Sequence, residues 1–109
     1  MRIIKLEFDF LVGPIIKDVY SASKNKLVTG VDVIDNDEDL EALNEKASSL
    51  FSSFYEFDKD NLCNFNNCLA REHSNELIDL INRIKSRLND LNDGSFVIND
   101  LATDQINEL

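Results

Sequence analysis

Among the side chains of this sequence that could bind a metal ion or take part in a reaction, carboxylates are the most numerous, and many of them lie close together. The stretch VIDNDEDLEALNE, residues 33–45, holds six of them and no basic residue. Such a run can bind a metal ion, cap a helix or face a basic partner. Its first three aspartates have the spacing that begins an EF-hand calcium loop, but Leu40 stands where the loop needs glycine and Lys46 where it needs a bidentate glutamate. The sequence therefore does not predict a calcium site.

Two cysteines and the single histidine are the other candidates for chemistry. Cys63, Cys68 and His73 are each separated by four residues, and no fourth zinc ligand accompanies them. A lone histidine cannot be assigned as the base of a serine or cysteine nucleophile, and three glycines in all exclude a glycine-rich phosphate loop. We therefore predict a protein that is not an enzyme and holds no metal or cofactor. Its two cysteines are expected to be free thiols.

The net charge of −10 is unevenly distributed. Residues 32–60 hold ten acidic residues against two basic ones, which is most of the excess. Such a surface repels nucleic acid and anionic membranes and attracts basic proteins. No apolar run approaches the roughly 20 residues that a membrane helix needs. The N-terminus MRIIKLEFDF places acids among its apolar residues and lacks a small-residue cleavage site, so we expect no signal peptide and a cytoplasmic location.

The first third of the sequence has the pattern of β-strands. A length of 109 residues suits one domain, residues 1–109. Apolar and polar residues alternate in IIKLEFDF, which indicates a half-buried strand, and Gly13-Pro14 interrupts it. The segments IIKDVY and LVTGVDVI flank a polar turn at residues 21–26. Together these segments predict a three-stranded antiparallel meander.

The hydrophobic period becomes helical after Asp37. The first apolar seam extends over a helix of about 20 residues and consists of Leu40, Leu43, Ala47, Leu50, Phe54 and Phe57. A short turn at residues 66–72 is expected before a second helix, which Ser74 or Asn75 would cap and NDG at 92–94 would stop. The second seam consists of Leu77, Ile81, Ile84, Leu88 and Leu91. SFVI then predicts a short strand, and Thr103 a cap for a last helical turn.

Two seams of matched length predict an antiparallel two-helix hairpin. Each helix still needs apolar cover, which a sheet can supply. The predicted fold is therefore α+β, with a small antiparallel sheet packed against this hairpin. The sheet would consist of the N-terminal meander and the short C-terminal strand.

Helix capping explains only part of the acidic run. The positive end of the helix dipole favours acids in the first turn, and Asp35 or Asn36 could cap it. Beyond that turn, Asp37, Glu41 and Glu45 form a like-charged ridge that no basic residue nearby in the sequence offsets. Either this ridge is a solvated helix face or it is the docking site of a basic partner. The candidate partner-binding residues are Asp32, Asp35, Asp37, Glu38, Glu41 and Glu45.

Three blocks of the sequence resemble a family of small bacterial immunity proteins. They are LEFDFLVGPIIKDVY, VIDNDEDLEALNEKASSLFSSFYEF and INRIKSRLNDLNDGSF. These proteins are the antidotes encoded beside polymorphic toxins, including those of contact-dependent growth inhibition systems. The resemblance implies an antidote that binds a cognate toxin domain, often a basic nuclease, and covers its active site or substrate groove. The alternative function is a structural or regulatory acidic interaction module without a toxin partner. The oligomeric state stays open.

Overall fold

The computed structural model describes residues 2–9, 13–57, 59–60 and 63–109. The fold is α+β, as predicted. In the described residues the strands are β1 (Arg2–Leu6), β2 (Val19–Ser21), β3 (Lys26–Val28), β4 (Tyr55–Phe57), β5 (Cys63–Phe65) and β6 (Phe96–Asp100). The helices are α1 (Asp32–Asp35), α2 (Glu38–Ser52), α3 (Asn67–Glu72), α4 (Ser74–Leu91) and α5 (Ala102–Asn107).

The N-terminal strand β1 pairs in parallel with the C-terminal strand β6. Its alternation is the predicted one, with Ile4 and Leu6 buried and Ile3 exposed. On its other side β1 meets residues 14–16 antiparallel through the Leu6–Ile15 bridge. The hairpin of β2 and β3 is antiparallel, as is that of β4 and β5.

The prediction of one antiparallel sheet made of a three-stranded meander and the C-terminal strand is therefore wrong in two respects. The β2–β3 hairpin is a separate two-stranded sheet that β1 does not join. Strand β6 is parallel to β1, because the long helical connection between them returns the chain in the same direction.

The predicted strand at residues 27–34 ends early. Strand β3 stops at Val28, and α1 begins at Asp32. Between them Gly30 has a φ of +87°, a conformation that favours glycine. The Asp35 carboxylate turns back onto this bend and accepts its backbone N–H groups. The β-branched composition of the segment is overridden by this local turn.

Helix α2 is shorter than the seam predicted. It ends at Ser52, where the Ser53 hydroxyl bonds to the Leu50 carbonyl oxygen. The backbone then enters β4, which pairs with β5. Phe54 is buried with its ring against those of Phe51 and Phe65, whereas Phe57 is 61% exposed. The last two residues of the predicted seam therefore lie beyond the helix, Phe54 just after its end and Phe57 on the β4–β5 hairpin.

The second predicted seam is confirmed in α4. Leu77, Ile81, Ile84 and Leu88 are fully buried on one side of this helix. The expected turn before it is the short helix α3. Ser74 is the first residue of α4 and not its cap, because its hydroxyl donates to the Arg71 carbonyl oxygen. Thr103 likewise lies inside α5, where its N–H and hydroxyl both donate to the Asp100 carboxylate.

Helices α2 and α4 contact one another at both of their ends. Asp37, before the first residue of α2, binds Arg87 near the last residue of α4 at 2.7 Å. Phe54, just after α2, stacks on His73, just before α4, with ring centroids 5.8 Å apart. A set of buried apolar side chains from β1, α2, α4, β6 and α5 forms the core against which both helices pack. In the described part of the chain no helix is both long and apolar enough to cross a membrane.

Candidate partner-binding surface

Asp35 is a structural residue. One of its carboxylate oxygens accepts from the Thr29 N–H at 2.9 Å and from the Thr29 hydroxyl at 2.7 Å, and the other accepts from the Gly30 N–H at 3.0 Å. Thr29 is almost fully buried, so its N–H and hydroxyl depend on this carboxylate. Asp35 therefore closes the bend after β3. Its prediction as a cap of the following long helix is wrong.

Asp37 is the N-cap of α2. Its side chain accepts from the Leu40 N–H at 3.0 Å. Both of its oxygens also accept from the Arg87 guanidinium, at 2.7 and 3.0 Å. The Asp37 side chain is only 11% exposed, so it contributes little to the outer surface. It does not belong to the predicted ridge with Glu41 and Glu45, because the cap position turns it toward α4.

The Arg87 guanidinium lowers the pKa of Asp37. The hydrogen bond from Arg87 is the largest cause, the Leu40 N–H adds to it, and desolvation acts in the opposite direction. The same pair raises the pKa of Arg87. A charge-assisted bidentate pair of this kind fixes both the distance and the orientation of the two groups. It therefore holds the start of α2 against α4.

Three glutamates form the acidic surface that remains. Glu38, Glu41 and Glu45 lie three and four residues apart on one face of α2, and all three are exposed. We call these three residues the glutamate stripe. Lys26 of β3, which is distant in the sequence, lies 3.7 Å from Glu41 and offsets the negative charge at this position. Within the described residues, the carboxylates of Glu38 and Glu45 have no hydrogen bond or ion pair.

Asp32 lies away from the glutamate stripe. It is the first residue of α1 and lines a depression shared with Arg2 and Asp93. Arg2 in turn donates to the Thr29 carbonyl oxygen at 3.1 Å. Three of the six predicted residues, Glu38, Glu41 and Glu45, are therefore brought together on one face. The other three do not belong to this helix face, although Asp35 lines a small cavity with Glu41.

An open groove of about 430 Å³ lies between Glu45 of the glutamate stripe and Leu27 of the β2–β3 hairpin. Its walls include Ile15, Lys17, Leu27, Asn44, Glu45 and Ser48. Asn44 joins the two walls, because its side-chain oxygen accepts from the Ile15 N–H at 2.8 Å. Sequence reasoning missed the hairpin wall. The one available signal was that apolar residues immediately flank the polar turn at residues 21–26.

The single histidine and the two cysteines are the candidates that the sequence offers for metal binding and catalysis. His73 bonds to Glu76 at 2.8 Å and stacks on Phe54. Cys68 is an exposed free thiol, while the side chain of Cys63 lies outside the described part of the chain. Among the described residues, no group of three or more histidine, cysteine or acidic side chains is arranged to hold a metal ion.

No protein-family model, curated protein or solved structure matches this chain. Its surface chemistry is therefore the basis for a functional assignment. That chemistry is an exposed acidic helix face beside an open groove with one apolar and basic wall.

Proposed function

We propose that this chain is an antidote that binds a cognate toxin domain with a basic substrate groove, such as a nuclease, and covers that groove. The observation that supports this proposal is the glutamate stripe, three carboxylates held on one exposed helix face. Their spacing along α2 resembles a short run of negative charge, which is the feature that a basic nucleic-acid groove attracts. In this proposal the two proteins meet in the cytoplasm.

The glutamate stripe is held on a supported helix. Asp37 caps α2 and binds Arg87 of α4, and the stacking of Phe54 on His73 secures the other end. A preorganised charged face loses less conformational entropy on binding than a flexible acidic tail. We also propose that α2 and α4 form the predicted antiparallel hairpin. Support comes from the two end contacts, since each joins the start of one helix to the end of the other.

The charge of the whole chain supports the choice of a basic partner. A net charge of −10 attracts a cationic domain over a distance of about one Debye length, roughly 8 Å at physiological salt. Glu38 and Glu45 have no internal ion partner within the described residues, so a partner does not have to displace one. Such charges raise the association rate more than they raise the affinity.

The test is protection from toxicity. The proposal predicts that the gene of a large toxin lies directly upstream of the gene for this chain. The C-terminal domain of that toxin is expressed in a bacterial host, alone and together with this chain. The proposal predicts that the domain alone stops growth, that coexpression restores it, and that the two proteins copurify in equal amounts. If the domain stays toxic in the presence of this folded chain, the antidote proposal is wrong.

A charge-reversed variant serves as the specific control in that assay. Glu38→Lys with Glu45→Lys is expected to weaken protection, whereas Asp104→Lys, an exposed acid on α5, is expected to protect like the unchanged protein. Binding without any toxicity of the upstream domain would favour the alternative, an acidic interaction module that has no toxin partner.

A further inference from the structure

An exposed apolar pair lies on the β2–β3 hairpin. Tyr20 and Leu27 are directly opposite one another in the antiparallel register. Tyr20 is 61% exposed and Leu27 is 54% exposed, while Val28 on the same strand is buried. The hairpin therefore turns one face to the core and presents an apolar pair to solvent. We call Tyr20 and Leu27 the hairpin pair.

One residue of the hairpin pair and one residue of the glutamate stripe line the same groove. Leu27 and Glu45 both line it, on opposite walls. Lys26, the neighbour of Leu27, forms the ion pair with Glu41 across the two elements. An apolar centre with a charged border in one continuous region is the usual arrangement of a protein-binding site.

The hairpin is held in place at its turn. The Tyr20 hydroxyl donates to the Asn25 side chain at 2.6 Å. Asn25 has a φ of +51°, which lets the chain reverse at this position. The Lys24 ammonium donates to the Asn36 side chain, also at 2.6 Å, and so connects the turn to the segment between α1 and α2. A tyrosine fixed in this way loses little side-chain freedom when it is covered.

We propose that the hairpin pair and the glutamate stripe form one docking surface, with Tyr20 and Leu27 as its apolar anchor. The occupant is a basic protein domain that has an apolar pocket beside its cationic groove. This inference rests on the proposed function, because that domain is the proposed toxin. The argument is charge complementarity. Glu45 offers a carboxylate without an internal ion partner, within the described residues, in the groove that Leu27 lines. Glu38 and Glu41 extend the negative charge along the same helix face. A second copy of this chain is the poorer occupant, because each copy has a net charge of −10.

The first test compares two exposed cross-strand pairs. Tyr20→Thr with Leu27→Thr removes the anchor but keeps residues that favour strands. The matched control is Ile3→Thr with Val97→Thr, because Ile3 and Val97 are also exposed and directly opposite, on the β1–β6 sheet. Binding of the upstream-encoded toxin domain is measured by calorimetry. We expect the affinity to fall by about tenfold or more for the hairpin variant and by less than about twofold for the control.

The outcomes of this test separate the two proposals. If the toxin domain binds the unchanged protein and the hairpin variant equally well, Tyr20 and Leu27 are not the anchor. The antidote proposal is unaffected by that result. If the toxin domain binds no form of the chain, the antidote proposal is wrong.

A second measurement then decides on the surface itself and does not depend on a folded variant. A synthetic peptide of alternating leucine and lysine is titrated into the isotope-labelled unchanged protein, and the shifted amide signals are mapped. Shifts concentrated at Tyr20, Leu27 and Glu45 support the docking surface. Shifts concentrated at Ile3 and Val97, or spread evenly over the acidic surface, overturn it. Concentration-dependent shifts at the hairpin in the protein alone would assign the surface to a second copy and overturn the proposed occupant.

Discussion

The two halves of the acidic run differ in what their carboxylates do. In residues 32–37, Asp35 and Asp37 are bound to backbone N–H groups and to Arg87. In residues 38–45, Glu38 and Glu45 are exposed, and Glu41 has only a long contact with Lys26. Acidic residues make up half of each segment, three of six and four of eight, but their position relative to α2 differs. The carboxylates of Asp35 and Asp37 are bound within the fold ahead of α2, whereas those on the exposed face of α2 are available to a partner.

The largest effect that tests this comparison is expected at Asp35. Asp35→Ala removes the acceptor of three hydrogen bonds and leaves the buried Thr29 N–H and hydroxyl without it. We expect the free energy of unfolding to fall by about 3 kcal/mol in urea denaturation. Asp35→Asn retains one carbonyl oxygen and is the matched control, for which a smaller loss is expected. A loss for Asp35→Ala as small as that for an exposed acid would show that the first half of the run is not structural.

A smaller loss is expected at Asp37. Asp37→Ala removes the N-cap of α2, which is worth about 1 kcal/mol, together with the partner of Arg87. The matched control is Asp39→Ala, which changes an exposed acid in the same helical turn. Thermal unfolding followed by circular dichroism compares the two. Equal melting temperatures for both variants would contradict the capping role of Asp37.

The free energy of unfolding of the unchanged protein should fall at acid pH, in part because Asp37 becomes protonated. The pKa of Asp37 is lowered in the folded state, as is that of Asp100, where hydrogen bonds from Thr103 and Lys85 outweigh desolvation. The stabilisation is therefore complete above the ordinary aspartate pKa, near 4, and is lost as the pH falls through the lowered values. Urea unfolding at several pH values should give a shallower acid dependence for Asp37→Asn than for the unchanged protein. Parallel profiles would contradict this assignment.

The smallest effect on stability is expected in the second half of the run. Glu38→Gln with Glu45→Gln removes charges that have no internal ion partner in the described residues, so we expect a change of less than about 0.5 kcal/mol. The sign should be slightly stabilising, because like charges along one helix face repel. Urea denaturation at low and high salt measures this. A loss above 1 kcal/mol would mean that these glutamates also serve the fold.

The sequence is sufficient for predicting the parts of the fold that depend on local periodicity. The seam of α4 and the alternation of β1 are read from spacing alone, because burial of one face repeats along each element. The contacts that Asp37 makes could not be predicted from local spacing. The Asp37–Arg87 pair joins residues 50 positions apart, and no local pattern indicates which acid a distant arginine will bind. The parallel pairing of β1 with β6 is long-range in the same sense.

The candidate partner-binding surface could also be predicted only in part from the sequence. The spacing of the glutamates predicts a shared helix face once a helix is recognised, and Glu38, Glu41 and Glu45 do share it. Lys26 and the hairpin pair come from a separate element, which meets α2 through a contact between residues distant in the sequence, Lys26 with Glu41. Charge counting along the sequence could not indicate that one wall of the groove is basic and apolar.

The most direct test of the central claim is the rate at which this chain associates with the upstream-encoded toxin domain. Stopped-flow fluorescence would compare the unchanged protein with Glu38→Lys plus Glu45→Lys, at ionic strengths from about 0.02 to 0.5 M. We predict that the variant associates about tenfold more slowly at low salt and that the two rates converge at high salt. Equal rates at every ionic strength, with both proteins folded, would contradict the claim that the glutamate stripe faces a basic partner.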